Sequence, residues 1–126
     1  MKRFWLGVGL LVVLLIGGIG LSDWMDRTFT TLARHMDQAC SLAGQDQLWQ
    51  AEPIAQSAYA RWLDCRDATA ALADHTPMEE IDRLFRELRI YALKQETVHY
   101  AATCAQLSAL LQAMADSHDI SWWHLL

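Results

Sequence analysis

Phe4 to Leu21, FWLGVGLLVVLLIGGIGL, is the stretch of the sequence that decides how the rest of the chain is organised. It contains no charged and no strongly polar residue. A helix of this length, at about 1.5 Å per residue, spans about 27 Å, which is close to the hydrocarbon thickness of a bilayer. The sequence therefore predicts an N-terminal membrane anchor over residues 1–21 and a separate domain over residues 22–126.

The charges on either side of this stretch predict its orientation. Lys2 and Arg3 precede it, whereas Asp23 and Asp26 follow it. Because basic residues are retained on the cytoplasmic side of a membrane, the N-terminus is expected inside and the domain outside. The expected location is a cell membrane, crossed once, with the domain on the extracytoplasmic side.

Two tryptophans mark the ends of the apolar stretch. Trp5 and Trp24 would lie about 28 Å apart on a helix, so they are predicted interfacial anchors in the two aromatic belts of a bilayer. The alternative is a cleaved signal peptide, for which Gly18 and Gly20 resemble a small-x-small cleavage site. The apolar run exceeds the usual signal-peptide core of about 7 to 15 residues, which favours an uncleaved anchor.

The charge of the domain excludes some classes of partner. Lys2 and Arg3 are two of the ten basic residues, which leaves eight beyond the anchor against all fifteen acidic residues. A net charge near −7 argues against binding nucleic acid and against electrostatic binding to anionic headgroups. The simplest interpretation of an acidic surface is that its charge keeps the domain soluble.

Apolar residues beyond the anchor recur at intervals of three and four, which is typical of helices. No hairpin dipeptide flanked by alternating apolar residues, internal repeat or long linker interrupts this pattern. We therefore predict an all-α domain with four helices after the transmembrane helix. They are expected to form an antiparallel four-helix bundle or two packed helical hairpins.

The first two helices of the domain have recognisable ends. Helix one is predicted from about Ser22 to Leu42, with Gly44 as its C-terminal cap. Helix two is predicted over about Asp46 to Ala73, where Pro53 indicates a kink or a start delayed to near Glu52. The apolar stripe of helix two is predicted to consist of Leu48, Trp49, Ile54, Ala55, Ala58, Tyr59, Trp62, Cys65, Ala68, Thr69 and Leu72.

The start of the third helix carries the clearest local signal. Thr76, Pro77 and Glu79 supply an N-cap, a first-turn proline and the returning carboxylate of a capping box. The apolar phase slips across Lys94-Gln95-Glu96, which predicts a short break before the fourth helix. The apolar positions beyond that break are Val98, Ala101, Ala102, Ala105, Leu107, Leu110, Leu111 and Met114.

The cysteines allow two interpretations. Counting from turns at His75 and near Gln95 places Cys65 and Cys104 at one height, whereas Cys40 falls out of register with both. Since an exported protein can keep disulfides, this pair would join helix two to helix four. The alternative, and the commoner outcome, is two buried free thiols facing the core.

No group of residues forms a catalytic or cofactor-binding signature. His75, Glu79 and Asp82 are spaced for one helix face, but Glu79 is already used by the predicted cap. Asp74 could orient His75 as a base, yet no serine or cysteine stands nearby as its nucleophile. We therefore expect no metal, no cofactor and no enzymatic activity.

The C-terminal stretch ISWWHLL, residues 120–126, is unusually apolar for a tail. With four helices alternating in direction, the fourth returns toward the membrane. Trp122, Trp123, Leu125 and Leu126 could therefore contact the bilayer interface or a membrane protein. The alternative is that the tryptophans close the base of the bundle against helix two and Trp24.

Several of these features occur together in one family. The residues in question are Trp62, Asp74-His75, Met78 to Asp82, Leu88, Tyr91 and the leucines at 107, 110 and 111. Together with the anchor and the chain length, they resemble the domain-of-unknown-function family numbered 4363, small membrane-anchored helical proteins of Firmicutes. The ending Trp123-His124-Leu125-Leu126 departs from the Asn-Ile-Phe ending typical of that family. The resemblance implies a location and an architecture, and it implies no activity.

Taken together, these patterns predict a non-enzymatic, membrane-tethered interaction or scaffold module of the bacterial cell envelope. Its expected partners are the membrane and another membrane or envelope protein. The main alternative is an extracytoplasmic sensor that binds a small ligand between its helices. An enzyme would need further ligands around His75, and a pilin-like role would need a glutamate that Phe4 to Leu21 lacks.

Overall fold

The computed structural model describes the backbone of residues 1–70 and 75–124. Side chains are described over the same ranges except at Ser22, at His75 and at residues 117–124. The described residues form four helices and no strand, which confirms the all-α prediction. The helices are α1 (Lys2–Gly44), α2 (Leu48–Ala70), α3 (His75–Lys94) and α4 (Thr97–His124).

Helix α1 joins the predicted anchor to the predicted first helix of the domain. It runs without a break for 43 residues, a length of about 64 Å at 1.5 Å per residue. No proline lies in this range, and the glycines of the apolar stretch do not interrupt the helix. The side chains of residues 2–21 are exposed, whereas Met25 and Phe29 begin a buried stripe.

The turn after α1 is closed by a residue other than the predicted Gly44. The amide of Gln47 donates to the Leu42 carbonyl at 2.9 Å, and the amide of Asp46 donates to the Ala43 carbonyl at 3.1 Å. These two bonds form a Schellman motif. Its left-handed position is Asp46, with φ of 59°, so the capping role assigned to Gly44 was wrong.

The turn after α3 repeats the same motif. Glu96 donates to the Tyr91 carbonyl at 3.0 Å, Gln95 donates to the Ala92 carbonyl at 3.2 Å, and Gln95 has φ of 55°. The predicted break at Lys94-Gln95-Glu96 is therefore confirmed. Both left-handed residues lie at the same end of the domain.

Two helix starts differ from their predictions. Helix α2 begins at Leu48 and contains Pro53, so the start delayed to Glu52 was wrong. Pro53 lies near enough to the N-terminus that its missing amide costs only one hydrogen bond of the second turn. Helix α3 begins at His75, which places Thr76 and Pro77 inside the first turn, two residues further in than predicted.

Contacts between helices show that neighbours run in opposite directions. Helix α1 packs most extensively against α4 and α2, α3 packs against α4, and the contact between α2 and α3 is the lightest of these four. Between α1 and α4, Ser108 Oγ lies 3.2 Å from the Ala33 carbonyl oxygen, and Cys40 Sγ lies 3.4 Å from that of Ala101. Residue numbers thus fall along α4 as they rise along α1, which makes the two helices antiparallel.

All four helices contribute to one core. Trp62 of α2 is completely buried, and its ring centroid lies 6.1 Å from that of Phe29 of α1. Spacings of three and four bring the buried side chains of α3 onto one face, as expected for an amphipathic helix. That face consists of Met78, Ile81, Leu84, Phe85 and Leu88. The protein is therefore a helical bundle from which the first half of α1 projects.

Candidate functional site

The projecting half of α1 is the first candidate site. It is long and apolar enough to cross a membrane, and none of its apolar window is buried within the protein. A core helix of a soluble protein would instead bury such a window. Trp5 is 71 % exposed and Trp24 is 43 % exposed, so both predicted interfacial anchors present much of their rings to the surroundings.

The boundary between apolar and polar surface lies just beyond Leu21. Asp23 and Arg27 form an exposed ion pair at 3.1 Å. Thr28 Oγ1 donates to the Trp24 carbonyl oxygen at 2.7 Å. A groove here is lined by Trp24, Arg27, Thr28, Thr31, Arg61, Asp64 and Cys65. The end of the bundle next to the apolar segment is therefore rich in charged groups.

The opposite end of the bundle carries an exposed apolar surface that the sequence patterns did not indicate. Trp49 and Val98, both predicted to face the core, are 74 % and 82 % exposed, and Leu93 is 76 % exposed. We call these three residues the distal apolar surface. They flank the two Schellman turns, where helix ends leave positions on the apolar stripe without a neighbour to cover them.

A cleft of about 430 Å³ adjoins the distal apolar surface. It is lined by Asp46, Leu48, Trp49, Glu52, Ala92, Gln95 and Thr97. The cleft contains the carboxylates of Asp46 and Glu52, the exposed indole ring of Trp49 and the amide of Gln95. These groups are chemically suited to binding a cationic group. The pair of turns is the sequence signal that could have predicted this cleft, since each turn places a helix end at the same end of the bundle.

The contact between α2 and α3 is held by a polar network. Trp62 Nε1 donates to Asp82 Oδ1 at 2.7 Å. Arg66 Nε donates to Asp82 Oδ2 at 3.0 Å, and Arg66 Nη2 lies 2.9 Å from the same oxygen. The hydrogen bond to Asp82 raises the pKa of the Arg66 guanidinium. Asp82, which the sequence placed on a face with His75 and Glu79, therefore has a structural role.

The histidine positions give no metal centre within the described residues, where no group of three or more candidate ligands lies together. His99 stacks on Tyr91 with ring centroids 5.3 Å apart. His35 is partly buried, and burial followed by the charges of Arg61 and Arg34 lowers its pKa. Its imidazole is therefore neutral at physiological pH. The side chain of His75 lies outside the described residues.

A cluster of titratable groups lies inside the bundle. Glu52, Tyr100 and Cys104 interact with one another, and Tyr100 and Cys104 are completely buried. Burial is the main reason that the pKa of Tyr100 is raised and that the pKa of Cys104 is raised to about 12. Both groups are therefore protonated at neutral pH, which makes them poor nucleophiles.

Cys65 and Cys104 are buried free thiols, which agrees with the commoner of the two interpretations and not with a disulfide between them. The reason lies in the register. Trp62 contacts Phe29, so Cys65 is level with the start of the buried half of α1, whereas Cys104 lies one turn from Ala101 and is level with Cys40. The two heights differ by about 20 Å along α1.

Part of the difference lies in the register between α2 and α3. The ring centroids of Tyr59 and Phe85 lie 5.1 Å apart, and Trp62 donates a hydrogen bond to Asp82. These pairs place Cys65 opposite residue 79 rather than opposite Phe85, a slip of six residues or about 9 Å. A sequence count cannot find this slip, since it depends on how the two helices pack against each other.

The predicted tail site is described only in part. Helix α4 continues to His124, so the backbone at Trp122 and Trp123 is helical. The side chains of these tryptophans, and all of Leu125 and Leu126, lie outside the described residues. Contact with the bilayer, contact with a partner and closure of the bundle all stay predictions.

Comparison with known proteins adds no relative. No family model matches the chain, and searches of curated proteins and of solved structures find no significant match. The resemblance to the family numbered 4363 therefore stays a prediction. What the structure defines is a class, an all-α helical bundle with one projecting apolar helix.

Proposed function

We propose that this protein is a non-enzymatic, membrane-tethered interaction module of the bacterial cell envelope. The observation that carries this proposal is the two-part character of α1. The apolar window of its first half is not buried against any part of the protein that the structure describes, and its second half contacts both α2 and α4. Exposure of such an apolar segment to water is unfavourable. Transfer of the segment into lipid removes this unfavourable hydrophobic free energy.

The proposed topology follows from charge. Lys2 and Arg3 hold the N-terminus in the cytoplasm, and Asp23 and Asp26 begin the extracytoplasmic side. Because α1 crosses this boundary as one uninterrupted helix, the bundle is attached without a flexible linker. Its orientation relative to the membrane is then restricted, which is useful for presenting a surface at a defined height.

The distal apolar surface is the proposed docking face for another membrane or envelope protein. Trp49, Leu93 and Val98 are large apolar side chains at the end of the bundle furthest from the apolar segment. Trp49 also lines the cleft at this end of the bundle, and tryptophan is enriched at the energetic centres of interfaces.

A ligand-binding sensor is the second candidate function. The observation that favours it is the cleft beside Trp49, which offers the carboxylates of Asp46 and Glu52 next to an exposed indole ring. A small organic cation would match this chemistry. We rank this function second because the centre of the bundle is filled by side chains, and the cleft is open to the surface.

Two experiments test the proposed function. Alkaline extraction of membranes should leave the full-length chain in the pellet, and intact mass should retain Met1 to Leu21. A chain that begins after Gly20 and leaves with the soluble fraction would support the cleaved signal peptide.

The docking face is tested by photo-crosslinking in cells. Replacement of Trp49 by benzoylphenylalanine should give an adduct of defined mass, whereas the same replacement of the exposed Gln106 should not. Trp122 serves as a second position that probes the tail. A folded, membrane-bound chain that gives no adduct at position 49 or 122 contradicts an interaction role.

A further inference from the structure

Cys40, for which the sequence predicts no partner, lies beside Cys104. Cys104 is the cysteine that the structure places far from Cys65. Cys40 Sγ donates to the Ala101 carbonyl oxygen at 3.4 Å. Cys104 follows Ala101 by three residues, which is nearly one helical turn. In a helix the carbonyl points toward the C-terminus and each Cβ tilts toward the N-terminus. The Cys104 side chain therefore reaches back to the height of the carbonyl that Cys40 contacts.

The environment of the two thiols agrees with this placement. Cys104 is completely buried and Cys40 is partly buried, both at the contact between α1 and α4. After burial, the charge of Cys40 is the next cause that raises the pKa of Cys104. The two sulfurs are therefore close enough to interact electrostatically across the most extensive helix contact in the protein.

We propose that Cys40 and Cys104 form a disulfide that joins α1 to α4. This inference rests on the proposed extracytoplasmic location, because disulfides persist in oxidising compartments and are rare in the cytosol. Cys65 stays a free thiol, since it lies at the other end of the bundle beside the groove that contains Trp24.

The reaction is thiol–disulfide exchange with a protein or small-molecule disulfide as the oxidant. The Cys40 thiolate, which is the more accessible of the two, attacks one sulfur of that disulfide and displaces the other as a thiolate. In the second and slower step the buried Cys104 thiol loses its proton, and its sulfur attacks the Cys40 sulfur and displaces the second thiolate. Two electrons pass from the cysteines to the oxidant. The two protons that the cysteines lose are taken up by the two sulfurs of the oxidant, which becomes a pair of thiols.

The consequence concerns the end of the chain. Helix α4 leads from Cys104 back along α1 toward the apolar segment and ends at His124. A covalent bond between the two helices prevents α4 from separating from α1. The C-terminal tryptophans are then kept beside the membrane end of the bundle even when the noncovalent contacts loosen.

Thiol counting on the full-length protein tests the proposal. Free thiols are alkylated during extraction from membranes in detergent and again after denaturation without reductant, so that the number of alkylated cysteines counts the free thiols. The expected result is one free thiol in the natural chain, none in C65S, and two in each of C40S and C104S. Peptide mapping should give one linked pair, containing Cys40 and Cys104. A linked pair that contains Cys65 overturns the proposal.

A parallel oxidation in vitro separates this inference from the proposed location. Purified reduced protein is incubated with oxidised glutathione, and circular dichroism checks that it stays folded. Three free thiols after this treatment overturn the pairing. A pair that closes with glutathione but is reduced in cells supports the pairing and overturns the extracytoplasmic location. Closure under both conditions supports both.

Discussion

The two halves of α1 have the same backbone and opposite surroundings. Residues 2–21 are exposed on every side, whereas from Met25 to Ala43 one stripe of the helix is completely covered by α2 and α4. The difference lies in the distribution of polar residues. The first half has none within its apolar run, while Arg27, Arg34 and Asp37 keep one side of the second half in water. A helix of uniform geometry can therefore serve two solvents when its side-chain pattern changes along its length.

The largest expected effect comes from removing a packed side chain and comparing it with an unpacked one. Leu32→Ala deletes a completely buried side chain of the second half. It should lower the free energy of unfolding by about 2 to 5 kcal/mol, because a cavity remains. Leu14→Ala, in the exposed half, should leave that free energy unchanged. Guanidinium unfolding in detergent, followed by circular dichroism, measures both. Equal losses in the two variants would contradict the division of α1.

A charge placed in the first half tests the proposed solvent of that half. Leu11→Arg should oppose membrane insertion by about 2.5 to 3.5 kcal/mol, since arginine is unfavourable at the centre of a bilayer. Leu63→Arg is the matched control, because Leu63 is a half-exposed leucine on α2. Membrane fractionation should show a soluble or degraded Leu11→Arg chain and an unchanged Leu63→Arg chain. Normal membrane retention of Leu11→Arg would remove the argument for a transmembrane α1.

A smaller effect is expected where α4 contacts the second half of α1. Ser108 Oγ lies 2.5 Å from Asp37 Oδ1 and is buried against the Ala33 carbonyl oxygen. Ser108→Ala should cost about 1 to 3 kcal/mol, the range expected for a hydrogen bond to a carboxylate that is partly exposed. Thermal unfolding of the variant beside Ser57→Ala, an exposed serine of α2, measures the difference. Indistinguishable midpoints would show that Ser108 contributes packing alone.

The smallest effect concerns pH. Burial lowers the pKa of His35 below its usual value of 6.5, so the unfolded chain binds a proton more readily than the folded one. Stability should therefore decrease as the pH falls through the unfolded pKa and toward the folded one. The part of this loss that is due to His35 should disappear in His35→Gln. Unfolding curves at pH 7.5, 6.5 and 5.5 test it, and an identical pH slope in both proteins would exclude His35 as the cause.

Local features of the fold could be predicted because their causes are local. Spacings of three and four gave the helical class, and the phase slip at Gln95 located the break between α3 and α4. The end of α1 was predicted to within two residues, yet its left-handed residue is Asp46 and not Gly44. A Schellman turn depends on where the last hydrogen bonds close, which composition does not specify.

The candidate site was predicted less well because residues from different helices form it. Trp49 and Val98 fit an apolar stripe in sequence, but helix ends leave them uncovered. Cys65 was predicted at the height of Cys104 partly because the register between α2 and α3 differs by six residues, or about 9 Å, from the predicted one. When the heights of two residues are predicted by counting along the chain, the error increases with each turn that separates them.

The sequence by itself determined that this chain is helical, that its first 21 residues are apolar enough to cross a membrane, and that the remainder is acidic. These properties follow from the side chains of each segment and need no information from its neighbours. Only the tertiary structure decided that Cys104 lies beside Cys40, that Asp82 binds Trp62 and Arg66, and that Trp49 is exposed. These properties depend on the register between helices, which short turns and shared packing set together.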